Sequence, residues 1–259
     1  MNINYVLAKQ ISKECADFGN PKAMTKYAYL CMKEKKNRFG EIHHDFKEAF
    51  HYFELAAKKG DAEGMVQYGN FNEFGFVVTN KNPELAVQYY KRAYEKGDLN
   101  GYAFYGISLI EGTGGITQNI SEGIRLIKHS CNQKNVFGIT YYSHYLYFGL
   151  PELPENEAMS FHYAKIAANL GSSKSLRDLG FFYKEGDVIE KDVNKSIMYF
   201  KIAIEEGDIQ AAYFLGNLLY NGDEDCGLKE NWTEGNKYLK YAADNGNEKA
   251  IYEYLVNIV

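Results

Sequence analysis

Residues 171–207 read GSSKSLRDLGFFYKEGDVIEKDVNKSIMYFKIAIEEG, and two short polar residues inside this stretch decide the fold. Ser172 follows a glycine directly, and Asp192 follows a short loop. Each suits a helix N-terminus, because its side-chain oxygen accepts a bond from a backbone N–H that has no intrahelical partner. Both belong to series that run the length of the chain. Asn or Asp falls at Asn4, Asp45, Asn82, Asn119, Asn156, Asp192 and Asn231, at intervals of 41, 37, 37, 37, 36 and 39 residues. Asn20, Asp61, Asp98, Asn135, Ser172, Asp208 and Asn247 keep the same step. Two capping series with one period mean two helices per repeat, and a period in this range marks a solenoid.

The residue before each cap of the second series is Gly19, Gly60, Gly97, Lys134, Gly171, Gly207 or Gly246. Glycine is what a helix C-terminus asks for at a left-handed position, and the next helix starts at once, so neighbours run antiparallel. Nine residues on stands Ala28, Gly69, Gly106, Ser143, Gly180, Gly216 or, in the last unit, Leu255. A residue this small within a helix costs propensity, which predicts close approach of the partner helix. Gly75, Gly112, Gly149, Gly186 and Gly222 end the first helix of their pairs. The second helix carries a small residue four beyond its cap, at Ala8, Ala49, Ala86, Gly123, Ser160, Ser196 or Gly235, then aromatic or aliphatic residues one turn later.

The string Gly-Asp-x-x-Ala-x-x-x-Leu-Gly-x-x-Tyr-x-x-Gly, continued by Asp/Asn-x-x-x-Ala-x-x-Tyr-Phe-x-x-Ala-Ala-x-x-Gly, resembles the Sel-1-like repeat family, a relative of the tetratricopeptide repeat. Leu179-Gly180, Tyr183, Gly186, Ser196 and Tyr199-Phe200 carry the clearest copy, with Leu215-Gly216 and Ala242-Ala243 in the next. The expected fold is all-α: a right-handed solenoid of six antiparallel helix pairs over 20–60, 61–97, 98–134, 135–171, 172–207 and 208–246. Single helices at 1–19 and 247–259 flank them in one domain of 259 residues. Polar Lys9, Gln10, Lys13 and Glu14 suit the first as a cap, whereas the last ends on Leu255, Val256, Ile258 and Val259. Lys33–His44 lengthens the first unit, and Pro151–Pro154 marks the fourth. The resemblance implies a non-enzymatic adaptor; two rivals are an immunity-type inhibitor that occludes a toxin and a hydrolase of the cysteine-rich type, whose regular Cys pairs this chain lacks.

Composition narrows the partners. The chain is 46% hydrophobic and 24% charged, with four prolines, which sets it apart from disordered sequences. Its net charge of −5 gives no basic footprint for nucleic acid. No apolar run approaches a membrane span, and Met1–Gln10 has no signal-peptide pattern, so the expected location is cytoplasmic. Cys15, Cys31, Cys131 and Cys226 form no CxxC pair, and reduced thiols fit them best; a Cys15–Cys31 bridge needs export. Cys15, Cys31 and Cys131 read as core residues, with Cys226 in a loop.

No constellation for chemistry emerges. His43-His44 with Asp45 and His51 lacks the i, i+4 spacing of helical metal ligands. Glu111–Gly115 has the glycines of a phosphate loop without its Gly-Lys-Ser/Thr ending, and reads as a connector. No cofactor and no metal are expected. What remains is the face of each first helix, where positions three, six, seven and ten past the starting glycine are expected to line a concave groove. Its candidate partner-binding residues are Tyr29, Asn70, Phe104, Tyr141, His144, Arg177, Phe181, Tyr213, Phe214 and Asn217. Large rings give much contact area for few lost rotamers, so the expected partner is a protein or peptide, with the C-terminal helix a further contact. Val66 and Tyr213 stand where a carboxylate clamp would need basic residues, so that mode is not expected.

Overall fold

The computed structural model describes residues 3–32, 35–36, 42–43, 45–75 and 80–258. Its helices are α1 (Ile3–Asp17), α2 (Pro21–Met32), α3 (Phe46–Lys58), α4 (Ala62–Phe74), α5 (Pro83–Glu95), α6 (Leu99–Glu111), α7 (Ile120–Asn132) and α8 (Val136–Phe148). They continue with α9 (Glu157–Asn169), α10 (Ser173–Glu185), α11 (Val193–Glu205), α12 (Ile209–Asn221), α13 (Trp232–Asp244) and α14 (Glu248–Ile258). The fold is an all-α repeat. One departure lies in the lengthened first loop, where β1 (Lys35–Lys36) pairs antiparallel with β2 (Ile42–His43). The chain divides into two compact units, residues 1–138 and 139–259.

Thirteen of the fourteen expected caps accept a backbone N–H three residues on. In the first unit these are Asn20, Asp45, Asp61, Asn82, Asp98, Asn119 and Asn135. In the second they are Asn156, Ser172, Asp192, Asp208, Asn231 and Asn247. Asn4 is the exception: α1 already begins at Ile3, so Asn4 sits within the helix. The turns before the second cap series are left-handed, and Lys134, at φ 59°, is the one non-glycine among the described residues with positive φ.

Small residues bring paired helices together. A Cβ on Gly69 would lie 2.4 Å from Tyr90 Cε1, and one on Gly180 would lie 2.6 Å from Phe200 Cε1. Gly106 meets Ile127 and the Gly123 carbonyl, and Gly216 meets Leu239, in the same way. In the fourth pair serines replace these glycines: Ser143 Oγ donates to the Ser160 carbonyl and Ser160 Oγ to that of Ser143, each at 2.8 Å. Two hydrogen bonds do there what bare backbone does elsewhere.

Two core expectations need correction. Cys31 and Cys131 are buried, but Cys15 is exposed: among the described residues α1 packs chiefly on α2, and Cys15 faces away from it. For the same reason α1 is not a polar cap, since Val6, Leu7 and Ile11 are exposed on it. All four cysteines are free. At the other end α14 packs on α13, with Ala250 buried against Ala212 and Ala242. Val256, Ile258 and Val259 lie outside the side chains described, as do His43, His44 and most of the Lys33–His44 loop.

Candidate functional site

The expected groove rows divide in two. Position six turns mostly away from the groove: Thr25, Val66, Ala103, Thr140 and Arg177 are buried and Tyr213 is half-buried, with Arg177 alone of these reaching the edge of the cavity described below. First helices of successive repeats also touch, as α2 does α4 and α4 does α6, and position six faces that seam. Where it is polar it reaches the next helix's cap. Thr25 Oγ1 donates to Asp61 Oδ2 at 2.7 Å, Thr140 Oγ1 to Ser172 Oγ at 2.9 Å, and Arg177 Nη1 to both Asp208 oxygens at 3.0 and 2.8 Å. Each of these cap side chains still accepts its own helix's N–H.

Within the first unit the candidates are largely committed to packing. Phe104 is only 7% exposed, stacked on Tyr90 and tilted against Phe137; it is not an exposed anchor. Asn70 accepts from Tyr90 Oη at 2.8 Å. Tyr29 is half-buried edge-on to Phe53, and burial raises its phenol pKa. In the glycine-rich Glu111–Gly115 stretch Glu111 ends α6, and Thr113–Gly115 form a 3-10 turn laid on α5, where a Cβ at Gly114 would strike the Pro83 carbonyl. Its glycines serve packing.

The second unit brings four candidates into one cavity of about 410 Å³. His144, Arg177, Phe181 and Phe214 line it, with Tyr147, Phe148, Lys174, Asp178 and Gln210. Position ten of α8 and α10 supplies His144 and Phe181, and position seven of α10 and α12 supplies Asp178 and Phe214. Phe181 and Phe214 meet edge to face at 4.5 Å, and the ring of Phe148, 65% exposed, stands 4.8 Å from His144. The exposed Phe148 was missed by sequence reasoning because it sits one residue before the helix-ending Gly149, outside the counted rows. Tyr141 stands beside this site with Lys174 Nζ 6.0 Å from its ring centre. Tyr213 donates to Glu253 of α14 at 2.7 Å, and Asn217 lies one turn beyond it.

Burial sets the cavity's electrostatics. Desolvation, reinforced by Lys174 and Arg177, lowers the His144 pKa to about 4, so its imidazole is neutral near pH 7. The Lys174 ammonium, 3.4 Å from its Nδ1, can only donate, which selects the tautomer with the imidazole proton on Nε2. Burial also lowers the Lys174 pKa and raises that of Asp178. Lys174 and Asp178 lie four residues apart on α10, a spacing at which opposite charges commonly pair, yet they form no ion pair. The basic group beside Asp178 is Arg177 Nε, at 4.0 Å. The cavity thus offers an ammonium with donors to spare and a carboxylate with open acceptor sites, between aromatic walls.

Among the described residues no group of three or more His, Cys, Asp or Glu side chains is placed to hold a metal ion. No helix among them is long and apolar enough to cross a membrane.

A family model described as the Sel1 repeat matches residues 21–61, 62–98, 100–135, 138–172, 173–208 and 209–247. No curated protein sequence matches the chain. Among solved structures it is similar to a Sel1 repeat protein from Oxalobacter formigenes: 24% identity, 80% of this chain and 82% of that chain covered, TM-score 0.59. It is similar also to the immunity protein Pa5087 from Pseudomonas aeruginosa, at 16% identity over 86% of this chain and 81% of that one, TM-score 0.57. A third is c5321, a protective antigen of uropathogenic Escherichia coli with an SLR fold, at 20% identity over 94% of this chain and 50% of that one, TM-score 0.55. Likeness at these identities is one of fold.

Proposed function

The chain belongs to the Sel1 repeat family, and we propose that it is a non-catalytic interaction scaffold seating a polypeptide partner in the cavity lined by His144, Lys174, Asp178, Phe181 and Phe214. The observation that carries this reading is that Lys174 and Asp178 stand between rings without an ion pair to each other, Lys174 meeting His144 Nδ1 at 3.4 Å and Asp178 lying 4.0 Å from Arg177 Nε. A peptide backbone presents C=O acceptors and N–H donors together, so it answers both side chains at once. The rings supply apolar contact that costs few rotamers. The four free thiols suit a reducing, cytoplasmic setting.

The test is capture from native lysate followed by mass spectrometry, using Phe148→Ala and Lys174→Met beside the wild type. Phe148 is the cleanest probe because its exposed ring can be removed without opening the core. An anchor of this kind is worth about 2 kcal/mol, so its partner should be lost at unchanged melting temperature. Both variants folding and still holding every partner would refute the site.

A second reading, occlusion of a toxin, draws on the fold shared with proteins described as immunity proteins. It requires the captured partner to be an enzyme that the purified chain inhibits at a one-to-one ratio. A captured partner without an inhibited activity leaves the scaffold reading.

A further inference from the structure

The first and second helices of each pair meet through fixed positions. On second helices the residues four, eight and eleven past the cap are buried in all six pairs. They are Ala49, Phe53 and Ala56; Ala86, Tyr90 and Ala93; Gly123, Ile127 and Ser130; and so on through Gly235, Leu239 and Ala242. Helix α1 is a second helix in this register, and its aligned residues are Ala8, Ser12 and Cys15. Ala8 and Cys15 are exposed and Ser12 is half-buried. Next to them Ile11 is 50% exposed, whereas at the aligned position Tyr52, Tyr89 and Leu126 are buried and Tyr163, Tyr199 and Tyr238 half-buried.

Helix α14 shows the converse. It is a first helix in register, and the positions by which first helices hold their partners, five and nine past the glycine, are Ile251 and Leu255. Both are exposed, at 41% and 60%, whereas at the first position Met24, Met65, Ile139, Leu176 and Ala212 are buried and Tyr102 is half-buried, and Ala28, Gly69, Gly106, Ser143, Gly180 and Gly216 are buried at the second. One helix therefore displays half of the crossing that the chain makes six times, and the other displays the complementary half.

The sizes agree. In four pairs glycine on the first helix faces a large residue on the second: Tyr90, Ile127, Phe200 or Leu239. Between α14 and α1 the assignment is inverted, with Leu255 at the glycine position and Ser12 at the large one. Leu255 would overpack against any second helix with a ring or branched chain there, but Ser12 leaves room for it. A generic apolar partner has no reason to match this exchange.

We propose that α14 of one copy docks on α1 of a second copy, with Leu255 filling the space beside Ser12, so that the two half-crossings form a seventh helix pair. The contact is heterologous, since different surfaces meet, and it leaves one free α1 and one free α14 on every dimer. It is independent of the peptide-binding reading, because neither helix contributes to that cavity.

The experiment is sedimentation of the 259-residue chain over a concentration series, with Ile11→Asp and Leu255→Asp variants alone and mixed. Wild type should show a weight-average mass that climbs past the dimer with concentration. Each variant alone should stay monomeric, because each lacks one half of the contact. Their equimolar mixture should form dimers and stop there, since the intact α14 of one fits the intact α1 of the other. Wild type that remains monomeric at about 500 µM, where even a contact of about 100 µM affinity would be mostly occupied, overturns the proposal. So does self-association of either variant alone, which would mean like faces meeting. Circular dichroism checks that both variants fold; should Ile11→Asp not, Ala8→Lys at an exposed position takes its place, with the same outcomes required.

Discussion

Adding one methyl group at Gly180 should destabilise the protein although alanine is the better helix former. The new Cβ would stand 2.6 and 2.7 Å from Phe200 Cε1 and Cδ1. That ring cannot swing aside, because it is fully buried and held edge-on by Phe181 at 5.4 Å. Overpacking of this kind costs about 1–3 kcal/mol, against a propensity gain of about 1 kcal/mol for Gly→Ala. The net expectation is a loss of about 1 kcal/mol, the middle of a range of roughly 0–2, or about 2–4 °C in melting temperature for a chain of this size. Phe200→Ala alone should cost more, roughly 3–5 kcal/mol. Combined, however, the two should be less harmful than their sum by about 1 kcal/mol or more, since the second substitution removes what the first collides with. The fourth repeat sets the precedent, with Ser143 at the glycine position and Ala164 at the ring position. Melting of the two single variants and the double, followed by circular dichroism, completes the cycle. Additive losses, or Gly180→Ala at or above wild type, would refute the claim that ring and backbone set this helix spacing.

Lys134→Gly should raise stability by about 0.5–1 kcal/mol, since Lys134 holds a left-handed φ that its aligned glycines adopt freely; chemical denaturation reads it directly. Arg177→Ala should cost roughly 3 kcal/mol, because it strands Asp208 behind a broken buried pair. Arg177→Thr should lose less, as Thr25 at the aligned position already reaches its cap, and equal losses would speak against cap recognition. His144 should make stability fall as pH drops from 6.5 towards 4: its folded pKa of about 4 lies below the usual 6.5, so the unfolded chain binds more protons in that window. The slope should approach about 1.4 kcal/mol per pH unit at most, reduced by partial solvent access. The difference in unfolding free energy between His144→Gln and wild type isolates it, since Asp178, whose raised pKa acts in the opposite direction, is common to both. Parallel curves would count against a buried neutral imidazole.

Caps and turn glycines were legible in the sequence because each answers a demand set by its own backbone. Asp61 or Gly171 needs no knowledge of what packs nearby. Groove residues were harder, since which face of a first helix is open depends on the angle at which the next first helix lies beside it. Position six fell mostly on the wrong side of that line: Arg177 spends its guanidinium on Asp208 in a seam and reaches only the edge of the cavity. Phe104 was misplaced for a related reason, as Tyr90 and Phe137 enclose it from separate helices. Phe181 and Phe214 sit in rows that stay half-open, as their positions led one to expect, but their company of Lys174, Asp178 and Phe148 follows only from three-dimensional packing. The exposed face of α1 likewise escaped notice, because Ala8 and Cys15 look like core residues until one asks what covers them.

The bonds from Thr25 to Asp61, Thr140 to Ser172 and Arg177 to Asp208 span 36, 32 and 31 residues of sequence, yet each joins the same two places on neighbouring helices. The extra length in the first case is taken up by the loop that contains β1 and β2. In these three repeats the length is thus gauged across space, by a side chain that finds the next cap, and not by counting residues along the chain. Insertions confined to the loops leave that gauge untouched, which allows the units to drift in length while their stacking phase stays constant. A single residue inserted inside a first helix, between position six and its own cap, would turn the donor by about 100° and throw every later unit out of phase.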